Sequence, residues 1–166
     1  MAEIKWAESA HHLPIEGFSP NPKNPKKHTK KHTKKQLEHI RNSILHFGFL
    51  DPIGVWGKDH VVVEGHGRLE ALKQLVQDGK IRIPAEGVPC IMLDHLSKRD
   101  RDAYMLEHNQ STMETPWDDD LLDDVLGDIA NEGLDMEQFG FEMPGEEDGE
   151  DGKYTCLLYT SDAADD

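Results

Sequence analysis

The chain has 166 residues, a length that suits one domain of ordinary size plus tails. Its formal net charge is −15, and it has no apolar run near the roughly 20 residues of a membrane span. Its first residues contain no apolar run, so we expect no secretory signal. Its two cysteines give neither a disulfide framework nor a metal motif, so we expect a cytoplasmic protein without a membrane partner.

The charge is distributed unevenly along the chain. Residues 1–101 hold 17 basic and 12 acidic side chains, whereas residues 102–166 hold one basic and 21 acidic side chains. The net negative charge argues against a protein that coats DNA generally. The first part of the chain, which has a net positive charge, is still able to contact phosphate groups.

The first part of the chain predicts a flexible lead, one strand and a basic loop. Residues 1–12 form the lead, residues 13–18 predict a short first strand, and a Pro/Asn-rich loop follows. Seven lysines then lie between Lys23 and Lys35. Such a run is typical either of a solvated loop or of an arm that contacts the DNA backbone, and the candidate DNA-binding residues are Lys26, Lys27, Lys30, Lys31, Lys34 and Lys35.

A helix and a hairpin are predicted next. Apolar residues recur on one face from Lys34 to Phe47, and Gly48 is placed to end this helix. Ile53–Trp56 and Val61–Glu64 then predict two strands, which the turn at residues 57–60 joins as a hairpin.

A glycine turn follows the second strand of the hairpin. Gly65-His66-Gly67-Arg68 leads into a leucine repeat at helical spacing, which predicts a helix that opens at Arg68. The start of a helix presents unpaired N–H groups, glycines let a ligand approach the backbone, and arginine suits phosphate. These features indicate a phosphate site, although a plain glycine turn with a solvated arginine fits the same pattern.

The second half predicts one more strand and several helices. Residues 88–93 predict a buried strand in which Cys90 is an inert core residue. A helix is predicted from about Lys98 to Asn109, with Ser97 capping its N-terminus. We expect a short acidic helical extension at residues 113–143 and a disordered acidic linker at residues 144–155. Residues 156–166 resemble a translated sequencing adapter and are excluded from the fold prediction.

The stretch Gly65-His66-Gly67-Arg68-Leu69-Glu70-Ala71 resembles the Gly-x-x-Arg-x-x-Ala signature of the ParB/sulfiredoxin superfamily. The order of elements over residues 13–112 also resembles the ParB-like N-terminal (ParB-like nuclease) domain found in phages and mobile elements. This resemblance implies an α+β fold, in which helices pack around a small mixed sheet, followed here by short acidic helices. His66 stands where sulfiredoxin needs a cysteine, so sulfiredoxin activity is not expected.

The resemblance also implies a nucleotide site. In ParB proteins the corresponding turn binds nucleotide phosphates, and a Glu-Asn-x-Gln-Arg segment meets the nucleotide on its other side. The phosphate- and nucleotide-binding candidates carried over to this chain are Gly65, Gly67, Arg68, Asn109 and Gln110. Glu64 and His66 are the candidate catalytic residues, and Glu64 is also the candidate ligand for Mg²⁺ that accompanies CTP or ATP.

The leading hypothesis is a ParB-like nucleotide- and/or DNA-binding domain that acts in phage or plasmid DNA metabolism, in a bacterium or phage-infected host. A homodimer or a methyltransferase-associated partner is consistent with this family. One alternative is a small phosphotransfer enzyme or NTPase of the free-serine-kinase type, which would use Glu64 and His66. Others are a ParB-like nuclease with a metal at Glu64, and a non-catalytic module whose acidic C-terminal segment binds a basic partner.

Overall fold

The computed structural model describes residues 10–22, 34–113 and 116–143. Strands, α-helices and two short 3-10 helices alternate along these ranges. In chain order they are β1 (His11–Leu13), a 3-10 helix (Ile15–Gly17), α1 (Lys34–Phe47), β2 (Ile53–Trp56), β3 (Val61–Glu64), α2 (His66–Gln77), β4 (Val88–Met92), α3 (Lys98–Met113), α4 (Asp119–Asn131) and a second 3-10 helix (Glu137–Phe139).

Some sequence predictions fall outside these ranges. They concern four lysines of the basic loop, Lys26, Lys27, Lys30 and Lys31, the acidic linker at 144–155 and the adapter-like tail at 156–166. Within the described ranges, no helix combines the length and the apolar composition that crossing a membrane requires.

The four strands form one mixed sheet in the order β1-β4-β2-β3. β2 lies inside it, antiparallel to β3 and parallel to β4, and β1 adds an antiparallel edge to β4. The predicted hairpin is the β2–β3 pair, and its register shifts between Gly54 and Val55. The predicted small mixed sheet with packed helices is therefore confirmed.

The main core lies where α2 covers the two inner strands. Ile53 and Val55 of β2 are completely buried, as is Cys90 of β4. The leucines predicted at helical spacing in α2 are all buried, and they are Leu69, Leu72 and Leu75. Burial raises the pKa of the Cys90 thiol, which agrees with its predicted role as an inert core residue.

Helix α3 is fixed against the sheet by a second set of contacts. Met105 packs with Val63 and Leu93 in a smaller core cluster. The buried Arg101 guanidinium lies 4.5 Å from the centre of the Trp56 ring, an arrangement that favours a cation–π attraction. These contacts set which face of α3 meets the end of β3.

The first strand is shorter and earlier than predicted. The sequence predicted a strand over residues 13–18, but β1 is His11–Leu13 and a 3-10 helix follows at Ile15–Gly17. Pro14 lacks the N–H that a longer strand would need, so the pairing with β4 ends there. His11 and His12, which were assigned to a flexible lead, are part of the sheet.

Two helix boundaries also differ from the predictions. Helix α2 begins at His66 rather than Arg68, and its N-cap is Gly65, whose left-handed backbone suits a glycine. Helix α3 continues to Met113, beyond the predicted end at Asn109. The predicted cap at its start is present, since the Asp100 N–H donates to Ser97 Oγ at 3.1 Å.

The chain divides into two compact units, Met1–Asn109 and Gln110–Asp166. In the second unit, Asp118 caps α4 by accepting a hydrogen bond from the Leu121 N–H at 3.1 Å. Leu122, Leu126 and Phe139 are buried in this unit. Its short acidic helices agree with the fold class predicted for this segment.

The buried His39 on α1 makes stability depend on pH. Burial lowers its pKa from the ordinary histidine value, and nearby Lys35 adds to the shift. The unfolded chain therefore binds the proton more readily, and the free energy of unfolding falls as the pH drops below about 6.5. We expect His39→Gln to lose less stability than wild type between about pH 7.5 and 5.5, measured by urea unfolding.

The matched control for this measurement is His46→Gln, because His46 lies exposed on the same helix. It should follow the wild-type pH dependence. If His39→Gln and His46→Gln behave alike, the buried imidazole is not the cause of the pH dependence.

Candidate functional site

The predicted phosphate turn connects the end of β3 to the start of α2. Gly65 has φ +88° and ψ 19°, and the Leu69 N–H donates to its carbonyl at 2.9 Å. The N-cap glycine has no side chain that could cap the helix. A helix start carries a partial positive charge, which favours an anion near the first turn of α2.

Arg68 lies beside this turn but is not directed into solvent. Its Nη1 lies 2.5 Å from Asp51 Oδ2, and its Nη2 donates to the Pro52 carbonyl at 3.2 Å. The Arg68 side chain is 26% exposed, whereas the Asp51 side chain is 70% exposed. The arginine predicted to bind phosphate is thus held against the segment before β2, and its partner is an exposed carboxylate.

Glu64, the residue before the turn, contacts helix α3. Its Oε2 lies 3.1 Å from His108 Nε2 and 3.4 Å from the Tyr104 hydroxyl, which is long for a hydrogen bond. On its other side, Glu64 packs over Gly54, where a Cβ atom would lie 2.5 Å from Glu64 Cγ. The strand end, α3 and a glycine in β2 together fix the position of this carboxylate.

The environment of Tyr104 keeps its hydroxyl protonated. Burial raises the pKa of Tyr104, and the negative charge of Glu64 raises it further. The phenol therefore remains a donor toward Glu64. Tyr104 and His108 are four residues apart on α3, and their ring centres are 5.8 Å apart.

The sequence analysis did not identify His108 or Tyr104. Because the two residues are four positions apart, both lie on one face of the helix. This spacing is common, however, and it does not indicate Glu64 as their partner. The contact joins residues far apart in sequence, and it arises because α3 packs against the end of β3.

The other predicted site residues are placed differently. His66 opens α2 and Gly67 is buried in its first turn. Asn109 turns its amide back onto its own helix, donating to the Met105 carbonyl at 2.8 Å. Gln110 is exposed and belongs to the second unit.

Two of the predicted DNA-binding lysines lie in the described ranges. Lys34 and Lys35 are exposed in the first turn of α1, which contains no acidic residue. A cation at a helix N-terminus opposes the helix dipole, so these lysines do not stabilise α1.

A separate open cavity of about 420 Å³ lies at another part of the sheet. It was not anticipated from the sequence, and its histidines are dispersed along the chain. Within the part of the chain that the structure describes, no three His, Cys, Asp or Glu side chains are arranged to hold a metal ion. The lining residues of the cavity are His11, His12, Leu13, His60, Met92, Asp94 and His95.

Among solved structures, the chain is similar to the C-terminally truncated chromosome-partitioning protein ParB from Caulobacter crescentus, determined in complex with CTP-gamma-S. The TM-score is 0.54 and the sequence identity is 21%, over 81% of this chain and 67% of that chain. This similarity confirms the predicted ParB-like fold. Neither a protein-family model nor a curated protein matches the chain.

The Gly65 turn can be tested by a pair of glycine substitutions. An alanine at residue 65 requires a left-handed backbone, and its Cβ would lie 3.0 Å from Arg68 Nη2 and 3.3 Å from Ile53 Cγ1. Gly79 also has a positive φ, of +67°, but its Cβ would meet no atom within 4 Å. The left-handed backbone alone costs about 1–2 kcal/mol.

We expect Gly79→Ala to lower the free energy of unfolding by about that backbone cost, and Gly65→Ala to lower it by about 1 kcal/mol more. Urea unfolding of both variants measures the difference. Equal losses would show that the space around Gly65 does not constrain the turn.

Proposed function

We propose that this chain binds a nucleoside triphosphate through the Gly65-His66-Gly67-Arg68 turn and acts in phage or plasmid DNA metabolism. One observation carries the proposal: a helix that starts directly behind a left-handed glycine, with Arg68 in its first turn, in a fold like that of a ParB protein solved with CTP-gamma-S. A phosphate group supplies the negative charge that such a helix start favours.

Binding at this turn requires Arg68 to exchange partners. The guanidinium is paired with Asp51 and would transfer one or both of its N–H groups to a phosphate oxygen. Because Asp51 is mostly exposed, its ion pair contributes little to stability, and releasing it costs little. The Asp51 charge would in turn repel the incoming phosphate, which lowers the net affinity.

The site offers little for an independently bound metal. Glu64, the predicted Mg²⁺ ligand, already contacts His108 and Tyr104, and the described residues contain no group of three ligating side chains. Mg²⁺ commonly keeps several water ligands and binds nucleotide phosphates directly. We therefore infer that Mg²⁺ would enter with CTP or ATP, held mainly by the phosphate oxygens.

DNA is the proposed second partner, bound through the lysines of the basic segment. The exposed Lys34 and Lys35 at the start of α1 support this proposal, because they oppose the helix dipole in the absence of a partner. Lysine contacts to DNA phosphates would release counterions and make the affinity strongly dependent on salt.

A second candidate function, phosphotransfer or nucleotide hydrolysis, is favoured by the contact between Glu64 and His108. A carboxylate paired with an imidazole is suited to accept a proton from an attacking hydroxyl or water. The predicted catalytic pair of Glu64 and His66 remains a proposal, to which we add His108 as a third candidate because of its contact with Glu64.

Nucleotide binding is tested by titration calorimetry with CTP, ATP and ADP in the presence of Mg²⁺. We expect Arg68→Ala to weaken the binding of the triphosphate about tenfold to a hundredfold, because a charge-assisted hydrogen bond contributes about 1.5–3 kcal/mol. The binding of ADP should be weaker in wild type if the terminal phosphate contacts the turn.

The matched control is Arg41→Ala. Arg41 is 27% exposed and also lies 2.5 Å from an aspartate, Asp78, so its loss has a similar structural effect away from the turn. Asp51→Asn should instead tighten binding severalfold, since it removes the charge that competes for Arg68. Equal affinities for wild type, Arg68→Ala and Asp51→Asn would contradict the proposed phosphate site.

DNA binding is tested with the double variant Lys34→Glu/Lys35→Glu. We expect it to bind duplex DNA more weakly and to reduce the slope of log affinity against log salt by about 1.8, for two lost phosphate contacts. Its thermal stability should not fall, because acidic residues suit the first turn of α1. An unchanged salt slope would exclude these two lysines from the DNA interface.

A further inference from the structure

Helix α4 leaves part of its apolar surface exposed. Leu122 and Leu126 of this helix are buried, but Leu121 is 60% exposed and Val125 is 46% exposed. Leu121 and Val125, which we call the apolar strip, are four residues apart and therefore lie next to each other on one side of the helix. Removing neighbouring apolar side chains from water is favourable, so a partner that covers the strip gains binding free energy.

A tryptophan lies at the N-terminal end of the same helix. Trp117 directly precedes Asp118, the N-cap of α4, and it is 49% exposed. Its ring meets the Phe141 ring edge-on, with 6.2 Å between the ring centres. An indole that is held by packing loses little conformational freedom when a partner contacts it, so its exposed part suits an anchor for binding.

A column of aspartates runs beside the apolar strip. Asp120, Asp124 and Asp128, which we call the acidic column, are exposed and are each four residues from the next. Asp120 and Asp124 each directly precede a residue of the apolar strip, so the acidic column lies along one edge of it. Residues 116–143 contain ten acidic side chains and no lysine, arginine or histidine. The surroundings of the strip are therefore strongly negative.

This charge selects among the possible occupants of the strip. A second copy of the chain would bring its own acidic column to the contact, and the like charges would repel. Duplex DNA and anionic membranes carry the same sign of charge. Within this chain, residues 26–35 are basic, but they consist of lysine, histidine and threonine alone and offer no apolar side chain to the strip. A fitting occupant combines apolar and basic side chains.

We propose that α4 binds a basic amphipathic helix of a partner protein. The apolar side chains of the partner cover the apolar strip, and its lysine or arginine side chains lie opposite the acidic column. The strip supplies most of the affinity, whereas the acidic column orients the partner and speeds its association. This surface belongs to the second unit and uses no residue of the proposed nucleotide site, so the proposal goes beyond nucleotide binding.

The test titrates synthetic peptides into the full chain by calorimetry. The probe is an amphipathic peptide of leucine and lysine at helical spacing, with about 14 residues, the length of an ordinary helix. One comparison peptide replaces every lysine by glutamate, and the other replaces every leucine by glutamine. We expect the basic amphipathic peptide to bind with micromolar affinity that falls as salt is added, and both comparison peptides to bind at least about tenfold more weakly.

Substitutions in the chain locate the binding surface. Leu121→Gln should weaken the binding of the basic amphipathic peptide about tenfold, because it removes a leucine that the peptide covers. The matched control is Leu106→Gln, since Leu106 is 54% exposed in the first unit. Asp124→Asn should weaken binding about twofold to fivefold, as expected for one exposed charge pair. Its control is Asp59→Asn, in the exposed turn of the hairpin. Both controls should bind as wild type does.

Four results would overturn the proposal. The first is absence of peptide binding, or binding of either comparison peptide as tightly as the basic amphipathic one. The second is equal affinity of wild type and Leu121→Gln. The third is a wild-type dimer in analytical ultracentrifugation that Leu121→Gln converts to a monomer, because a second copy would then cover the strip. The fourth is unfolding of Leu121→Gln at a much lower urea concentration than Leu106→Gln, because the leucine would then be packed within its own chain.

Discussion

The parallel pairing of β2 with β4 is the constraint on which the rest of the first unit depends. Parallel neighbours cannot be joined by a tight turn, so the chain between them must cross over, and here it does so through β3 and α2. β2 is enclosed on both sides, which explains why Ile53 and Val55 are completely buried. The antiparallel return of β3 brings Glu64 beside Gly54, near the start of β2.

This topology collects the candidate site from three places in the chain. The segment before β2 supplies Asp51 and Pro52, the end of β3 supplies Glu64, and the start of α2 supplies Arg68. Arg68 is paired with Asp51, and Glu64 is paired with His108. A phosphate that binds here would therefore exchange one anionic partner of Arg68 for another, which is a smaller change than neutralising an isolated arginine.

Periodicity in the sequence predicted the elements whose burial is one-sided. The leucine repeat of α2 and the bounds of α1 follow from spacing, because a single covered face leaves a regular pattern. The two hairpin strands instead follow from short runs of apolar, β-branched residues on either side of a turn, and their consecutive residues are buried. The predicted boundaries of β1 and α2 were wrong, because the backbone properties of a proline and a glycine decide where these elements end or begin, at Pro14 and Gly65 respectively. The sequence analysis missed His108, because no local signal links a histidine on α3 to a glutamate on β3. Its assignment of roles to the individual site residues, including the lysines, remains a prediction.

The close packing of Glu64 over Gly54 has a consequence for how this protein can change in evolution. A side chain at residue 54 would occupy the space of the Glu64 stem, so neither position is independent of the other. A lineage that keeps the acidic group must keep the glycine, and one that gains a larger residue at position 54 must shorten or lose the residue at position 64. Related sequences should therefore show these two positions changing together.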